Sequence, residues 1–258
     1  MTTPPRRRPH PRISPIPALI ALPITLALTA CSHNQAAHEN AMPHHAHHAV
    51  SPDLDRYLTD REAEFNTIPD QRKADLDQIA DWIRREHNAG RTPSLTFVCT
   101  HNSRRSHMAQ IWTQAAADAH NLNLRTYSGG TETTAFNPRA VAALERAGFR
   151  ITTADNSPNP RYTVSWATPD TTNTTHRTVC FSKVYDHPTN PARNFAAVMV
   201  CDDADENCPT VPGAEQRFAI TYTDPKASDN TPAEAATYDE RCAQIAREMT
   251  WMITRATN

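Results

Sequence analysis

The apolar residues of this 258-residue chain recur in two rhythms. Runs at 95–98 and 195–200 are short, β-forming and nearly unbroken, which predicts strands, the second buried on both faces. Residues 124–128 make a further strand running into Gly129-Gly130, and 217–221 supply another. Residues 160–168 and 177–184 alternate like a strand pair, separated by the polar run T-P-D-T-T-N-T-T. Elsewhere the spacing is helical. Met108, Ile111, Trp112, Ala115 and Ala119 form one stripe, and Tyr238, Cys242, Ile245, Met249 and Met252 another.

Punctuation residues mark where these helices begin and end. Asn137 caps a helix with Pro138 in its first turn, and Gly148 closes it. Thr231 and Glu234 are spaced as a capping box for the last helix. Two more helices occupy residues 51–92. Ser51-Pro52 opens the first, with Leu54, Tyr57, Leu58 and Phe65 on one stripe. Pro69 opens the second, Leu76, Ile79, Ala80 and Ile83 face inward, and Gly90 ends it. Strands alternating with helices from residue 93 to 258 predict an α/β domain with a parallel sheet, preceded by a helical extension.

The first thirty residues have a different character. Arg6, Arg7, Arg8 and Arg12 precede an apolar run at 13–30 that is short for a spanning helix and interrupted by Pro15, Pro17 and Pro23. Leu28-Thr29-Ala30-Cys31 then resembles a bacterial lipobox, which implies a signal peptide over 1–30, lipidation at Cys31 and an exported, membrane-anchored protein on the periplasmic or envelope side. Residues 31–50 carry His33, His38, His44, His45, His47 and His48 among Ala and Asn, the composition of a disordered tether. Clustered imidazoles also suit scavenging of Zn, Cu or Ni, but the absence of fixed ligand spacing or a carboxylate partner favours the tether reading, and no defined metal site is assigned. Removal of the four leader arginines leaves 22 basic against 28 acidic residues, a formal charge of −6 that argues against nucleic-acid binding.

The chemistry concentrates after the first strand, in S-L-T-F-V-C-T-H-N-S-R-R-S-H-M-A at 94–109. A strand delivers Cys99, a polar loop of Thr100, His101, Asn102, Ser103 and Arg104 follows, and Arg105-Ser106 opens a helix. Strand, tight loop and helix start aim backbone N–H groups at one point, where an oxyanion fits and Arg105 supplies a planar clamp. The same field favours the anionic thiolate of Cys99. His107 reads as a surface residue, and Trp112 and Tyr222 as core.

This C-x5-R-S segment resembles the signature loop of the low-molecular-weight protein tyrosine phosphatases and the arsenate reductases built on the same fold. The resemblance spans about residues 95–252. It implies a three-layer α/β sandwich with a four-stranded parallel sheet and Cys99 at the carboxyl end of its first strand. By that resemblance Cys99 is the nucleophile, Arg105 binds the equatorial oxygens and Ser106 steadies the thiolate. The loop departs from the family in carrying His101 where Gly is usual, and Arg104 adds a second positive charge. Gln110 stands where arsenate reductases often carry an acid linked to potassium, so that ion is not expected here.

A second cysteine pair follows the 195–200 strand in C-D-D-A-D-E-N-C-P, with Cys201 and Cys208 bounding a polar, acidic loop expected to be exposed and mobile. Two thiols there suit either a structural disulfide or a redox relay. The segment resembles the redox loop of thioredoxin-coupled arsenate reductases, as do N-P-R-A at 137–140 and A-L-E-R-A-G at 143–148. That resemblance implies Cys99 attacking arsenate, Cys201 attacking Cys99, and Cys208 resolving the disulfide for an external thioredoxin-like dithiol, with no tightly bound cofactor. Asp224, in Thr223-Asp224-Pro225, matches the family's Asp-Pro motif and is the candidate acid for the leaving oxygen. Two other readings stand beside the reductase. One is a phosphatase using Cys99, Arg105 and Asp224 on phosphate esters, with the other thiols protecting Cys99 from overoxidation. The other is a non-enzymatic oxyanion- or metal-binding lipoprotein. Cys180 and Cys242 are expected to be buried and unreactive.

Overall fold

The computed structural model describes residues 50–153, 155–167, 176–208 and 210–258. The leader, Cys31 and the histidine-rich segment up to residue 49 lie outside the described residues, as does the T-P-D-T-T-N-T-T run at 168–175.

Four strands form a parallel sheet: β1 (Ser94–Cys99), β2 (Arg125–Gly130), β6 (Phe195–Met199) and β7 (Ala214–Ala219), in the order β2-β1-β6-β7. β1 and β6 occupy the centre, and every residue of both is buried, which explains their unbroken apolar runs. β7 begins three residues before the expected start, at Ala214, and its alternation is poor because it is an edge strand. A second sheet is antiparallel, from β3 (Arg150–Thr152), β4 (Tyr162–Ser165) and β5 (Arg177–Cys180) in sequential order. The alternating pair at 160–184 therefore belongs to a separate sheet, joined by a three-residue strand that the pattern does not announce.

The helices are α1 (Pro52–Ala63), α2 (Asp70–Asn88), α3 (Arg105–Ala119), α4 (Pro138–Arg146), α5 (Asp202–Asn207) and α6 (Glu234–Thr257). α3 packs on β1 and β2, and α6 packs against α1, α2, α3 and α4. The Ser51 hydroxyl accepts from Leu54 N, and the Asn137 side chain accepts from Arg139 N, as the caps required. The 231/234 capping box does not form. Glu234 instead accepts from Asn230 N at 2.6 Å and pairs with Arg139 at 2.7 Å, and the helix starts from Ala233 with no side-chain cap. An ion partner on α4 outcompetes the local cap.

The two-helix extension is packed into the core. Leu54, Leu58, Leu76, Ile79 and Ile83 are fully buried, and the Tyr57 ring stacks on Trp112 of α3 at 5.1 Å. Among the described residues no helix is long and apolar enough to cross a membrane.

Candidate active site

Cys99 ends β1 at the carboxyl edge of the sheet and is almost fully buried. Its Sγ lies 3.1 Å from Ser106 Oγ in the first turn of α3. Between them the loop turns tightly through Asn102, which is buried with φ +44°. Asn is one of the few residues that hold this left-handed conformation at modest cost. Its side chain fixes the turn from both ends: Nδ2 donates to Ser106 Oγ at 2.9 Å, and Oδ1 accepts from Lys183 N at 3.0 Å.

The loop's carbonyls are taken up by donors outside it. Thr131 N donates to Cys99 O, Glu132 N to Thr100 O, Ser182 Oγ to His101 O, and Asn137 N to Ser103 O. In a trans peptide the C=O and the next N–H point in opposite directions. Carbonyls pulled outward therefore turn the N–H groups of Thr100, His101, Asn102 and Arg104 toward the inside of the loop. Gly130 makes this possible, since a Cβ there would sit 2.7 Å from both Asn102 N and Thr100 O.

A small cavity is lined by Cys99, His101, Ser103, Arg104, Arg105 and Asp224. Arg105 is held at its rim, Nη1 donating to Tyr222 O and Nη2 to Asp224 Oδ2, both at 2.8 Å. Asp224 also caps the single 3-10 turn that follows it, Oδ1 accepting from Lys226 N at 3.0 Å. Arg104 is engaged differently from Arg105. Its Nε donates to Tyr238 Oη at 2.9 Å, and Asp229 and Asp224 lie within 3.7 and 3.9 Å. Tyr238 in turn donates to Asp229, and burial, then that bond, push its hydroxyl up to about 12. His101 is half-exposed, 3.6 Å from Glu132.

Cys201 follows β6 on the same edge of the sheet, one strand from Cys99, and is buried. Its Sγ lies 3.5 Å from Thr100 Oγ1 and caps α5 by accepting from Ala204 N at 3.4 Å. The stretch expected as a loop is thus a short helix, favoured by Asp202, Asp203 and Asp205 in its first turn. Cys208 sits half-buried at the far end of α5, and the described cysteines are all free thiols. Cys180 and Cys242 are buried away from the site, and burial raises each thiol to about 12.

His107 contradicts its surface reading. It is fully buried, its Nδ1 is 3.2 Å from Ser128 Oγ, and its ring lies 4.1 Å from Phe136. Burial, then the nearby Lys183 ammonium, push its pKa well below the usual value. Gln110 is also buried and donates to Thr126 O at 3.3 Å. Among the described residues no group of His, Cys, Asp and Glu is placed to hold a metal ion.

Residues 94–163 match the sequence profile described as low molecular weight phosphotyrosine protein phosphatase. An arsenate reductase of Staphylococcus aureus (strain Newman) is 31% identical over 133 residues, covering 51% of this chain and 78% of the reductase. The chain belongs to the low-molecular-weight phosphotyrosine protein phosphatase family. It is an enzyme of the superfamily that includes those arsenate reductases. Similar solved structures include an arsenate reductase in a phosphate-binding state, at 17% identity and TM-score 0.40, covering 64% of this chain and 99% of that one. A low-molecular-weight tyrosine phosphatase from T. tengcongensis gives 15% identity and TM-score 0.43, covering 63% and 99%. Family membership does not by itself name Lys183, Ser182 or Tyr238. Each reaches the site from a distant segment, and no local motif marks it.

Proposed function

We propose that this enzyme reduces arsenate to arsenite with three thiols. The observation that carries the reading is the placement of Cys201 beside the loop that holds Cys99, its sulfur in contact with Thr100. In the first step Cys99 Sγ displaces an oxygen of arsenate held by the inward N–H groups of Thr100, His101, Asn102 and Arg104 and by Arg105, and Ser106 steadies the sulfur. Asp224, at the rim, protonates the oxygen that leaves as water. Cys201 then attacks Cys99 Sγ. The S–As bond breaks with its electron pair moving onto arsenic, so arsenite leaves and a Cys99–Cys201 disulfide remains. Cys208 attacks Cys201, freeing Cys99, and an external thioredoxin-like dithiol reduces the Cys201–Cys208 disulfide.

A phosphatase reading has its own support, because Cys99 together with the Arg105–Asp224 pair supplies the nucleophile, oxyanion clamp and acid that phosphomonoester hydrolysis through a phosphocysteine requires. The adjoining groove weighs against an aryl ester as preferred substrate. Its lining, His101, Ser103, Arg104, Thr134, Ala135, Asn137, Pro138 and Lys226, contains no phenyl, phenol or indole ring to stack on a phenol. Arsenate-dependent consumption of a dithiol by the purified protein tests the two readings. Cys99→Ser abolishes it, and Cys201→Ser or Cys208→Ser abolishes it while leaving slow aryl phosphate hydrolysis intact. Retention of arsenate reduction in both relay variants rejects the reductase.

The reading extends to location. The basic start, apolar run and Cys31 support export and lipid anchoring, so the dithiol reductant would act on the envelope side. Incorporation of labelled palmitate that disappears in Cys31→Ala checks this, and unchanged labelling rejects it.

A further inference from the structure

The helical extension reaches the catalytic edge through one side chain. Arg72, in the first turns of α2, precedes the segment matched by the family profile. Its guanidinium makes three contacts at once. Nε donates to Glu248 Oε2 of α6 at 2.7 Å, Nη2 donates to Thr221 O at 2.9 Å, and the plane lies over the Tyr222 ring, 4.8 Å from its centroid. Glu248 is 2% exposed and Arg72 18%. Burial works against the Arg72 charge, but Tyr222 and Glu248 outweigh it and the pKa rises.

An ion pair this deep is a poor source of stability, because desolvation of both ions offsets their attraction. A planar fork does offer geometry. Two N–H directions and one stacking face fix a carboxylate, a carbonyl and a ring in a single arrangement. What is fixed here is the backbone at Thr221–Tyr222. From the other side the Tyr222 carbonyl accepts from Arg105 Nη1, and Tyr222 N donates to Val200 O at the end of β6. Two residues on comes Asp224, against Arg105.

We propose that Arg72 is a positioning residue for Asp224. It clamps the Thr221–Tyr222 backbone from the extension side, so that the carboxylate is held at the rim of the Cys99 cavity. The extension thus completes the acid half of the site. This rests on Asp224 being the proton donor.

The test separates positioning from folding. A proton donor matters most when the leaving group is poor, so phenyl phosphate depends on it and p-nitrophenyl phosphate much less. In the full chain, Asp224→Asn sets the reference, with kcat for phenyl phosphate falling roughly a hundredfold and that for p-nitrophenyl phosphate falling far less. Arg72→Lys keeps a charge opposite Glu248 but loses the fork. The double variant Arg72→Met/Glu248→Met removes both charges and so avoids stranding a buried carboxylate. In both, kcat for phenyl phosphate falls roughly tenfold while p-nitrophenyl phosphate changes by less than about twofold. Amide hydrogen exchange over residues 220–226 also accelerates while that of β1 is unchanged, a readout that needs no turnover. Equal loss on both esters, or unchanged exchange at 220–226, overturns the positioning role. If Asp224→Asn itself shows no leaving-group dependence, the proton-donor reading fails and the proposal with it, and this variant alone reports that failure.

Discussion

Two segments leave the same edge of the parallel sheet, each starting with a cysteine that ends or follows a buried central strand, and they are built in opposite ways. From Cys99 to Arg105 the chain makes a tight turn whose carbonyls are held by donors from residues 131–137 and from Ser182, and whose bend is fixed by Asn102. From Cys201 to Cys208 the chain coils into α5, and its hydrogen bonds run mostly within the segment. The main outside tie is Arg217 of β7, whose guanidinium donates to Cys208 O at 2.9 Å, to Asp205 O at 2.6 Å and to the Asp205 carboxylate. A turn that grips an anion works only if its donors are fixed before the anion arrives. A dithiol that closes on itself works only if its ends can meet. The six residues of α5 lie between Cys201 and Cys208, so seven helical rises set the two about 10 Å apart along the axis, beyond the roughly 7 Å between Cα atoms that a disulfide allows. Under the proposed relay, residues 201–208 must unwind where the cradle must not.

The comparison breaks most visibly on oxidation. Closing Cys201–Cys208 is expected to remove protection of the α5 amides against hydrogen exchange and to leave the amides of residues 99–105 as they were. Loss of protection in both segments would mean that they do not move independently. Arg217→Ala sharpens the same point. Without the tie at its carboxyl end α5 opens more often, so the disulfide forms roughly three- to tenfold faster, in line with about 1 kcal/mol for lost hydrogen bonds at a half-exposed site. An unchanged closure rate rejects Arg217 as the restraint.

An effect on stability alone, with none on either thiol, lies beneath the cradle. His107 stays neutral in the folded protein because its pKa is depressed, whereas the unfolded chain binds a proton as pH falls through the ordinary histidine value of 6.5. Stability from this group is therefore complete above 6.5. It is lost as pH falls from there toward the folded pKa, at up to about 1.4 kcal/mol per pH unit. Urea unfolding at pH 7.5 and 5.5 is expected to show a steeper acid loss in the wild type than in His107→Gln. Equal losses would remove this histidine from the account.

Parts of this architecture were legible because their causes are local. The unbroken runs of β1 and β6 follow from burial on two faces, and the caps at Ser51 and Asn137 need only the next few residues. Other parts were not. The burial of His107 is not legible because α3 is buried almost all round, between the sheet on one side and α1 and α6 on the other, so helical periodicity carries no inside-outside signal there. β3 is only three residues, Arg150, Ile151 and Thr152, too short to carry a period, and it forms a strand because β4 lies alongside. The 231/234 cap failed because Arg139, on another helix, claimed its glutamate.

The amino-acid sequence by itself determined most of the alternation of strands and helices, though not β3 or α5, together with the cysteine at the end of β1, the arginine and serine that open α3, and the later pair of thiols, since these follow from spacing and local propensity. The tertiary structure decided which side chains meet at the edge. Arg72, Arg105, Tyr222 and Asp224 lie up to 152 positions apart in the chain, and Thr100 meets Cys201 across 101. Such meetings depend on how buried surfaces pack, and packing is a property of the whole fold that no local window of residues contains.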